Sequence, residues 1–274
     1  MVEVFAPAKI NLTLHVTGKR DDGYHLLDSL VMFADVGDTV TLSDAPETSL
    51  TVDGPMAQNV PTDDRNIMVR AARFFGATAA LHLTKTLPPA SGIGGGSSDA
   101  AATLRGLAQL TGRAIPDDTT EVGADVPVCL AVQTVRMRGV GERLDPLPDM
   151  PTLHAVLVNP NIPILTQSVF AGLARSDNTP MPEELPSGLS AADLITWLST
   201  MRNDLEAPAM QSEPAIAQIF AALEVTPGCQ LVRMSGSGGT CFGLYSDENS
   251  AGAAAGRLAE QHPGWWVVPT RFNP

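Results

Sequence analysis

From Lys9 the chain alternates strictly: Ile10, Leu12, Leu14 and Val16 fall on one side, Lys9, Asn11, Thr13 and His15 on the other. A period of two is the mark of a strand with one apolar face, and it predicts a strand over residues 4–16 whose second face is polar. A polar turn at 18–23 leads to two further strands, 26–36 and 39–42, and residues 49–61 read as an irregular loop. The period then lengthens. Ile67, Val69, Ala71, Ala72, Phe74 and Phe75 predict a helix over 66–79. A short apolar strand at 81–87, an alanine-rich helix from about Ser98 to 110, and a strand from Val128 to about 137 complete the first half.

A proline-rich stretch at 145–151 reads as a linker, dividing the chain into domains 1–147 and 148–274. Beyond it the pattern predicts a strand at 153–159 and helices near 166–174, 191–198 and 214–223. Strands at 230–234 and 240–245, a helix at 250–261 and a strand at 265–269 follow. Strands separated by helices, with one hairpin across 235–239, fit a ferredoxin-like arrangement and place the chain in the α+β class.

The segment joining strand 81–87 to its helix carries the strongest chemical signal. Gly92, Gly94, Gly95 and Gly96 allow tight turning and close approach to a ligand. The helix behind them offers unpaired N–H groups and the positive end of its dipole, which suits phosphate. Ser97 and Ser98 are placed to cap that helix and to offer hydroxyls to phosphate or a metal ion. A P-loop requires a lysine before the hydroxyl residue, and here glycine stands there. The third glycine of a dinucleotide fingerprint is also missing. A bare structural turn remains the alternative.

Composition narrows the partners. With 17 basic against 30 acidic residues the formal charge is −13, which argues against nucleic-acid and anionic-membrane surfaces. An anionic substrate must then be met locally. Cys129, Cys229 and Cys241 form no C-x-x-C pair and read as buried free thiols rather than a disulfide framework or zinc site. The histidines have no metal-ligand spacing. No signal peptide or apolar run long enough to span a membrane is expected, so a cytoplasmic location is anticipated.

Three further constellations bear chemistry. Lys9 and Asn11 share the polar face of the first strand, and Asp125 sits in a small apolar context, Gly123-Ala-Asp-Val-Pro127. A Lys9–Asp125 pair would activate a hydroxyl, while a snorkelling lysine and a capping aspartate are the structural alternatives. Tyr24 and His25, after Gly23, would stack on and hydrogen-bond a heterocycle, or merely anchor a loop. Ser235-Gly-Ser-Gly-Gly239 is a hairpin or a second wall near the phosphates.

Six pieces together resemble the GHMP kinase superfamily, which phosphorylates small alcohols with ATP. They are Pro7-Ala-Lys-Ile-Asn-Leu12, Asp22-Gly-Tyr-His25, Gly92-Ile-Gly-Gly-Gly-Ser-Ser-Asp-Ala-Ala101, Gly123-Ala-Asp-Val-Pro127, Asn203-Asp-Leu-Glu206 and Met234-Ser-Gly-Ser-Gly238, in the family's order across nearly the whole chain. The resemblance implies a two-domain fold, N-terminal like domain 2 of ribosomal protein S5 and C-terminal ferredoxin-like, with the active site in the cleft between. It implies ATP at Pro89, Gly92, Gly94, Gly95, Gly96, Ser97 and Ser98, and catalysis by Lys9 and Asp125. Substrate contacts fall on Asn11, Tyr24, His25, Phe170, Gly236 and Gly238. Mg²⁺ is expected through the ATP phosphates, with Ser98 a further candidate, and no side-chain metal motif is expected. The first two pieces point to the branch that phosphorylates the tertiary hydroxyl of a cytidyl-diphospho methylerythritol in the non-mevalonate isoprenoid route, as a monomer or homodimer. Homoserine- and mevalonate-type substrates have no base for Tyr24 and His25 to stack on. A sensor that has lost turnover would not need Lys9, Asp125 and both loop serines. Ala90 and Ser91 replace the family's usual loop glycines, residues 111–122 look short, and Val31 stands where some members carry an aromatic.

Overall fold

The computed structural model describes residues 1–273. Its strands are β1 (Val2–Asn11), β2 (His15–Lys19), β3 (His25–Asp44), β4 (Ser49–Asp53), β5 (Ala79–Thr84) and β6 (Val135–Gly139). They continue with β7 (Arg143–Pro146), β8 (Leu153–Asn159), β9 (Cys229–Met234), β10 (Cys241–Tyr245) and β11 (Trp266–Phe272). The helices are α1 (Ile67–Phe75), α2 (Gly95–Thr111), α3 (Val126–Ala131), α4 (Thr166–Ala171), α5 (Ala191–Ser199), α6 (Glu206–Ser212), α7 (Ala215–Glu224) and α8 (Glu248–Gln261). The chain divides into two compact units. The first comprises Met1–Lys9, Val36–Pro89 and Gly94–Val132; the second comprises Ile10–Asp35, Ala90–Ile93 and the chain from Gln133 onward.

In the first unit β4 runs parallel to β5, and β5 pairs antiparallel with the latter part of β3, Thr39 opposite Thr84. Ala79, Leu81 and Leu83 of β5 are buried while their neighbours are half-covered, as one packed face demands. Helix α2 lies so close over β3 that a Cβ on Gly106 would overlap Leu42. Helix α1 packs on α2. Its start is fixed by Asn66, whose side chain accepts from the Met68 N–H, and its end by Gly76 in the left-handed conformation at φ 69°.

In the second unit β8, β9, β10 and β11 form a sheet in the order β11-β8-β10-β9, every pair antiparallel. Counted along the chain that is fourth-first-third-second with helices after the first and third strands, the ferredoxin-like arrangement expected. Ile216, Ile219 and Leu223 of α7 and Ala251, Ala254, Ala255 and Leu258 of α8 share one buried cluster with Val156 and Val158 of β8. Each large aliphatic side chain so buried contributes about 1.5–3 kcal/mol. A second group of strands, β2, the first part of β3, β6 and β7, pairs antiparallel, with β3 and β6 far apart in the chain and Asp28 opposite Arg138.

Several expectations fail for identifiable reasons. The single strand expected over 4–16 is two, β1 ending at Asn11 and β2 starting at His15; its polar side chains Lys9, Asn11, Thr13 and His15 are all buried, and each meets a polar partner. Residues 49–53, read as loop, form β4. The two strands at 26–36 and 39–42 are one, β3. The helix expected over 66–79 ends at Phe75, and β5 starts at Ala79. The strand expected at 128–137 is instead α3 followed by β6. Pro127 suits the first turn of a helix, where its missing N–H has no partner to lose. Helix α6 was hidden by Pro208, and β7 occupies part of the expected linker.

Candidate active site

The first unit brings Lys9 and Asp125 together, Nζ to Oδ2 at 3.0 Å. Strand β1 delivers Lys9 into the interior, its side chain 5% exposed, while Asp125 stands at the start of α3 with its side chain 37% exposed. A buried ammonium needs a partner; the carboxylate supplies it and keeps an open side toward solvent. The Lys9 stem is roofed by Gly94. A Cβ there would lie 3.1 Å from Lys9 Cβ and 3.2 Å from its Cε, and φ is +64°, so glycine is required on two grounds.

Gly94 is also the cap of α2, which begins at Gly95 with no side-chain cap hydrogen bond. The first intrahelical bond runs from Ser98 N–H to Gly94 O, so the amides of Gly95, Gly96 and Ser97 have no carbonyl within the helix. The serines were expected to cap this helix; they lie inside its first turn instead. Ser98 is fully buried and its hydroxyl donates to Pro7 O at 2.8 Å, whereas Ser97 is half-buried. Gly96 is exposed, and a Cβ on it would meet nothing nearer than Ile67 Cγ2 at 3.7 Å. Pro89 is exposed too. A helix N-terminus with free amides and no side chain over it fits a polyphosphate.

Beneath α2 lies a charged group that sequence reasoning missed. Lys85 Nζ contacts Asp38 Oδ2 at 2.5 Å and Asp99 Oδ2 at 2.8 Å, all three buried. Asp38 Oδ1 accepts from the Thr86 and Leu87 amides, so the cluster ties β3 and the chain leading to the glycines to α2. Burial, opposed by Lys85 and reinforced by Asp38, pushes the Asp99 carboxyl up to about 7 from its ordinary 3.8. The folded protein therefore holds a proton, between about pH 4 and pH 7, that the unfolded chain has released. Stability from this group falls as pH rises through that window and is level above it. Asp99→Asn, which never ionises, should gain on the parent in denaturant melts from pH 5 to pH 8. A constant difference would mean that Asp99 ionises as an ordinary carboxyl.

In the second unit the two glycine turns meet backbone to backbone. A Cβ on Gly92, at φ +76°, would lie 2.5 Å from Ser235 O and 2.6 Å from Gly238 O; one on Gly236 would lie 2.7 Å from Gly92 O. Ser235 Oγ donates to Gly92 O at 3.0 Å and accepts from Asn11 N–H at 3.0 Å. Asn203 donates to Met234 O and Gly236 O. Gly236 and Gly238 are buried. Asn11 donates to Ser29 Oγ at 2.7 Å, and its buried Oδ1 has no partner.

His25 and Phe170 stack with ring centroids 4.8 Å apart and planes 24° from parallel, while Tyr24 beside them is 60% exposed. Burial, then the charge of Lys19, lowers the His25 pKa below 6.5, so the ring is neutral at pH 7 and can both donate and accept. Val31 is fully buried. The buried pair Arg136–Asp28, bidentate at 2.8 Å per bond, went unnoticed in the sequence; it holds the Met181 amide and the carbonyls of Met181, Pro182 and Glu183.

Among the described residues no three acidic, histidine or cysteine side chains are grouped to hold a metal, and no helix is long and apolar enough to cross a membrane. The cysteines are free, Cys129 and Cys241 buried and Cys229 half-buried.

Residues 66–131 match the GHMP kinases N terminal domain and residues 187–264 match GHMP kinases C terminal. The chain is 55% identical to a 4-diphosphocytidyl-2-C-methyl-D-erythritol kinase of Dinoroseobacter shibae over 97% of its own length and 93% of the relative's. It is 56% identical to one of Cereibacter sphaeroides over 99% of both. A solved 4-(cytidine 5'-diphospho)-2C-methyl-D-erythritol kinase superposes over 100% of both chains with a TM-score of 0.75 at 29% identity. A homoserine kinase from Cytophaga hutchinsonii, at 18% identity and a TM-score of 0.60 over 98% of this chain and 94% of its own, shares the fold. Glycine loop, Lys–Asp pair, ferredoxin-like half and near full-length identity agree: the chain belongs to the GHMP kinases, and within them to the 4-diphosphocytidyl-2-C-methyl-D-erythritol kinase family.

Proposed function

We propose that the chain transfers the γ-phosphoryl group of ATP to the tertiary 2-hydroxyl of 4-diphosphocytidyl-2-C-methyl-D-erythritol, with Lys9 and Asp125 as the reacting pair. The observation that carries this is the 3.0 Å ion pair with one buried and one half-open partner, on the same unit as the uncapped start of α2. Phosphoryl transfer passes through a loose transition state, so alignment and charge stabilisation do most of the catalysis. Asp125 orients the alcohol and receives its proton. In a loose transition state the alcohol proton leaves late, as the O–P bond forms, so orientation is the larger contribution of Asp125. Lys9 pairs with Asp125 at 3.0 Å and faces the negative charge that develops. The amides of Gly95, Gly96 and Ser97 cradle phosphate oxygens, and Ser97 adds a hydroxyl at the mouth.

A Mg²⁺ ion held through the ATP phosphates would neutralise charge on the oxygens being displaced. Half-buried Ser97 suits it better than Ser98, which is fully buried. At a formal charge of −13 such local cations and amides are what make a polyanionic substrate acceptable. An ATP-consumption assay with the cytidyl-diphospho alcohol, and with homoserine and mevalonate alongside, tests the reading; turnover of either rival in preference to the first overturns it.

The aromatic group is assigned to cytosine, with Phe170 backing His25 and exposed Tyr24 forming a free wall. Stacking of a base on an aromatic ring contributes roughly 1–3 kcal/mol. Tyr24→Ala should therefore raise the Kd for the cytidyl-diphospho alcohol by about ten- to a hundred-fold, with ATP affinity unchanged. Calorimetry showing equal losses for both ligands, or none for the alcohol, places the base elsewhere.

A further inference from the structure

We infer that Arg105 is a positioning residue for the Lys9–Asp125 pair: its guanidinium fixes strand β1 against helix α3 so that ammonium and carboxylate keep their register. Arg105 lies on α2, midway along. Nη1 donates to Cys129 O at 3.0 Å and Nη2 to Phe5 O at 2.9 Å. These two carbonyls belong to the two elements that carry the pair. Phe5 precedes Lys9 by four residues on β1, roughly 13 Å along a strand. Cys129 follows Asp125 by four residues on α3, roughly 6 Å along a helix.

The strand and the helix are thus tied twice, through Lys9–Asp125 at one end and through one guanidinium at the other. A single contact leaves two elements free to slide or rotate about it, and a second, offset contact removes that freedom. Cys129 belongs to the last turn of a six-residue helix, whose carbonyls lack partners within the helix. The planar, forked guanidinium can serve two carbonyls at a fixed separation, which a lysine cannot.

The charge of Arg105 is not matched by a carboxylate. Among the described residues it enters no ion pair, in a chain with 30 acidic residues. Burial lowers its pKa. A half-buried cation satisfied by backbone carbonyls alone serves geometry rather than charge pairing. The packing around it is tight: a Cβ on Gly94 would sit 3.7 Å from Cys129 Sγ as well as against Lys9. A shift of α3 therefore carries directly into the surroundings of Lys9.

The inference rests on Lys9 and Asp125 being the reacting pair, and the test separates the two. Arg105→Met, Arg105→Lys, Asp125→Asn and the Arg105→Met/Asp125→Asn double variant are assayed with ATP and the cytidyl-diphospho alcohol. Misplacing reacting groups by ~1 Å costs about a hundred-fold, so kcat should fall by about ten- to a hundred-fold in Arg105→Met. Arg105→Lys should recover little of it, and both KM values should stay within about threefold of the parent. Added guanidinium ion should restore part of the turnover of Arg105→Met. In the Asp125→Asn background the Arg105→Met loss should disappear, since residues acting as a unit are non-additive. Parent-like kcat in folded Arg105→Met, an undiminished loss in the Asp125→Asn background, or failure of both single Arg105 variants to fold overturns the inference. If Asp125→Asn alone turns over normally, it is the reading of the pair that fails.

Discussion

Asp125→Asn is expected to lower turnover by ~10²–10⁴-fold, the range for a positioned acid–base group, while ATP and the alcohol still bind. Asparagine keeps the size and one acceptor oxygen, so the contact with Lys9 Nζ at 3.0 Å can persist as a hydrogen bond from the ammonium to a neutral amide oxygen. What is lost is the charge that orients the hydroxyl and takes its proton. Lys9→Met should lose turnover as well. Its side chain is 5% exposed, so methionine occupies a space that already excludes water and leaves no unpaired ammonium behind. The double variant should be little worse than the poorer single. Single-turnover kinetics separate binding from chemistry. If Asp125→Asn proceeds at near parental rate, or if the two losses multiply, the pair is not the catalytic unit.

The pair shows where sequence reasoning succeeds and where it stops. Lys9 stood out as one of three lysines on an apolar strand, and Asp125 as an acid in a small apolar context, yet nothing in their spacing of 116 residues said that they touch. The ferredoxin-like half was legible because its strands and helices have clean periods and a hairpin marked by glycines. Residues 49–53 were not, because β4 is short and is identified by its parallel pairing with β5, a property of the partner rather than of the segment. Alternation at 9–16 ran on without a break and so predicted one strand, where the chain ends β1 at Asn11 and begins β2 at His15; a period of two reports faces, not where a strand stops. Lys85 and Asp38 belong to no motif, and Asp99, although inside the glycine-serine piece, carried nothing to say that a lysine met it; Arg105 likewise carried no signal. Only the folded positions of Phe5 and Cys129 give it two acceptors.

Gly96→Val is expected to abolish measurable ATP binding, a loss of at least about a hundred-fold in Kd, with the melting temperature close to that of the parent. The direction in which each loop glycine faces decides this. Gly96 is exposed and a side chain on it would extend into open space, past Ile67 Cγ2 at 3.7 Å. That space is where phosphates must come to reach the first-turn amides of α2. Its φ is not among the positive ones, so valine brings no left-handed strain there. Gly95, one residue earlier, is buried, and a Cβ on it would sit 3.2 Å from Lys85 Nζ and 3.7 Å from Leu87. Gly95→Val should therefore lose stability first, by crowding the Lys85–Asp38–Asp99 cluster, and ATP only as a consequence. The two variants have the same chemistry in adjacent positions and opposite signatures. Isothermal calorimetry with ATP and a thermal melt on each distinguishes them. Full ATP affinity in folded Gly96→Val would mean that the phosphates do not approach the start of α2.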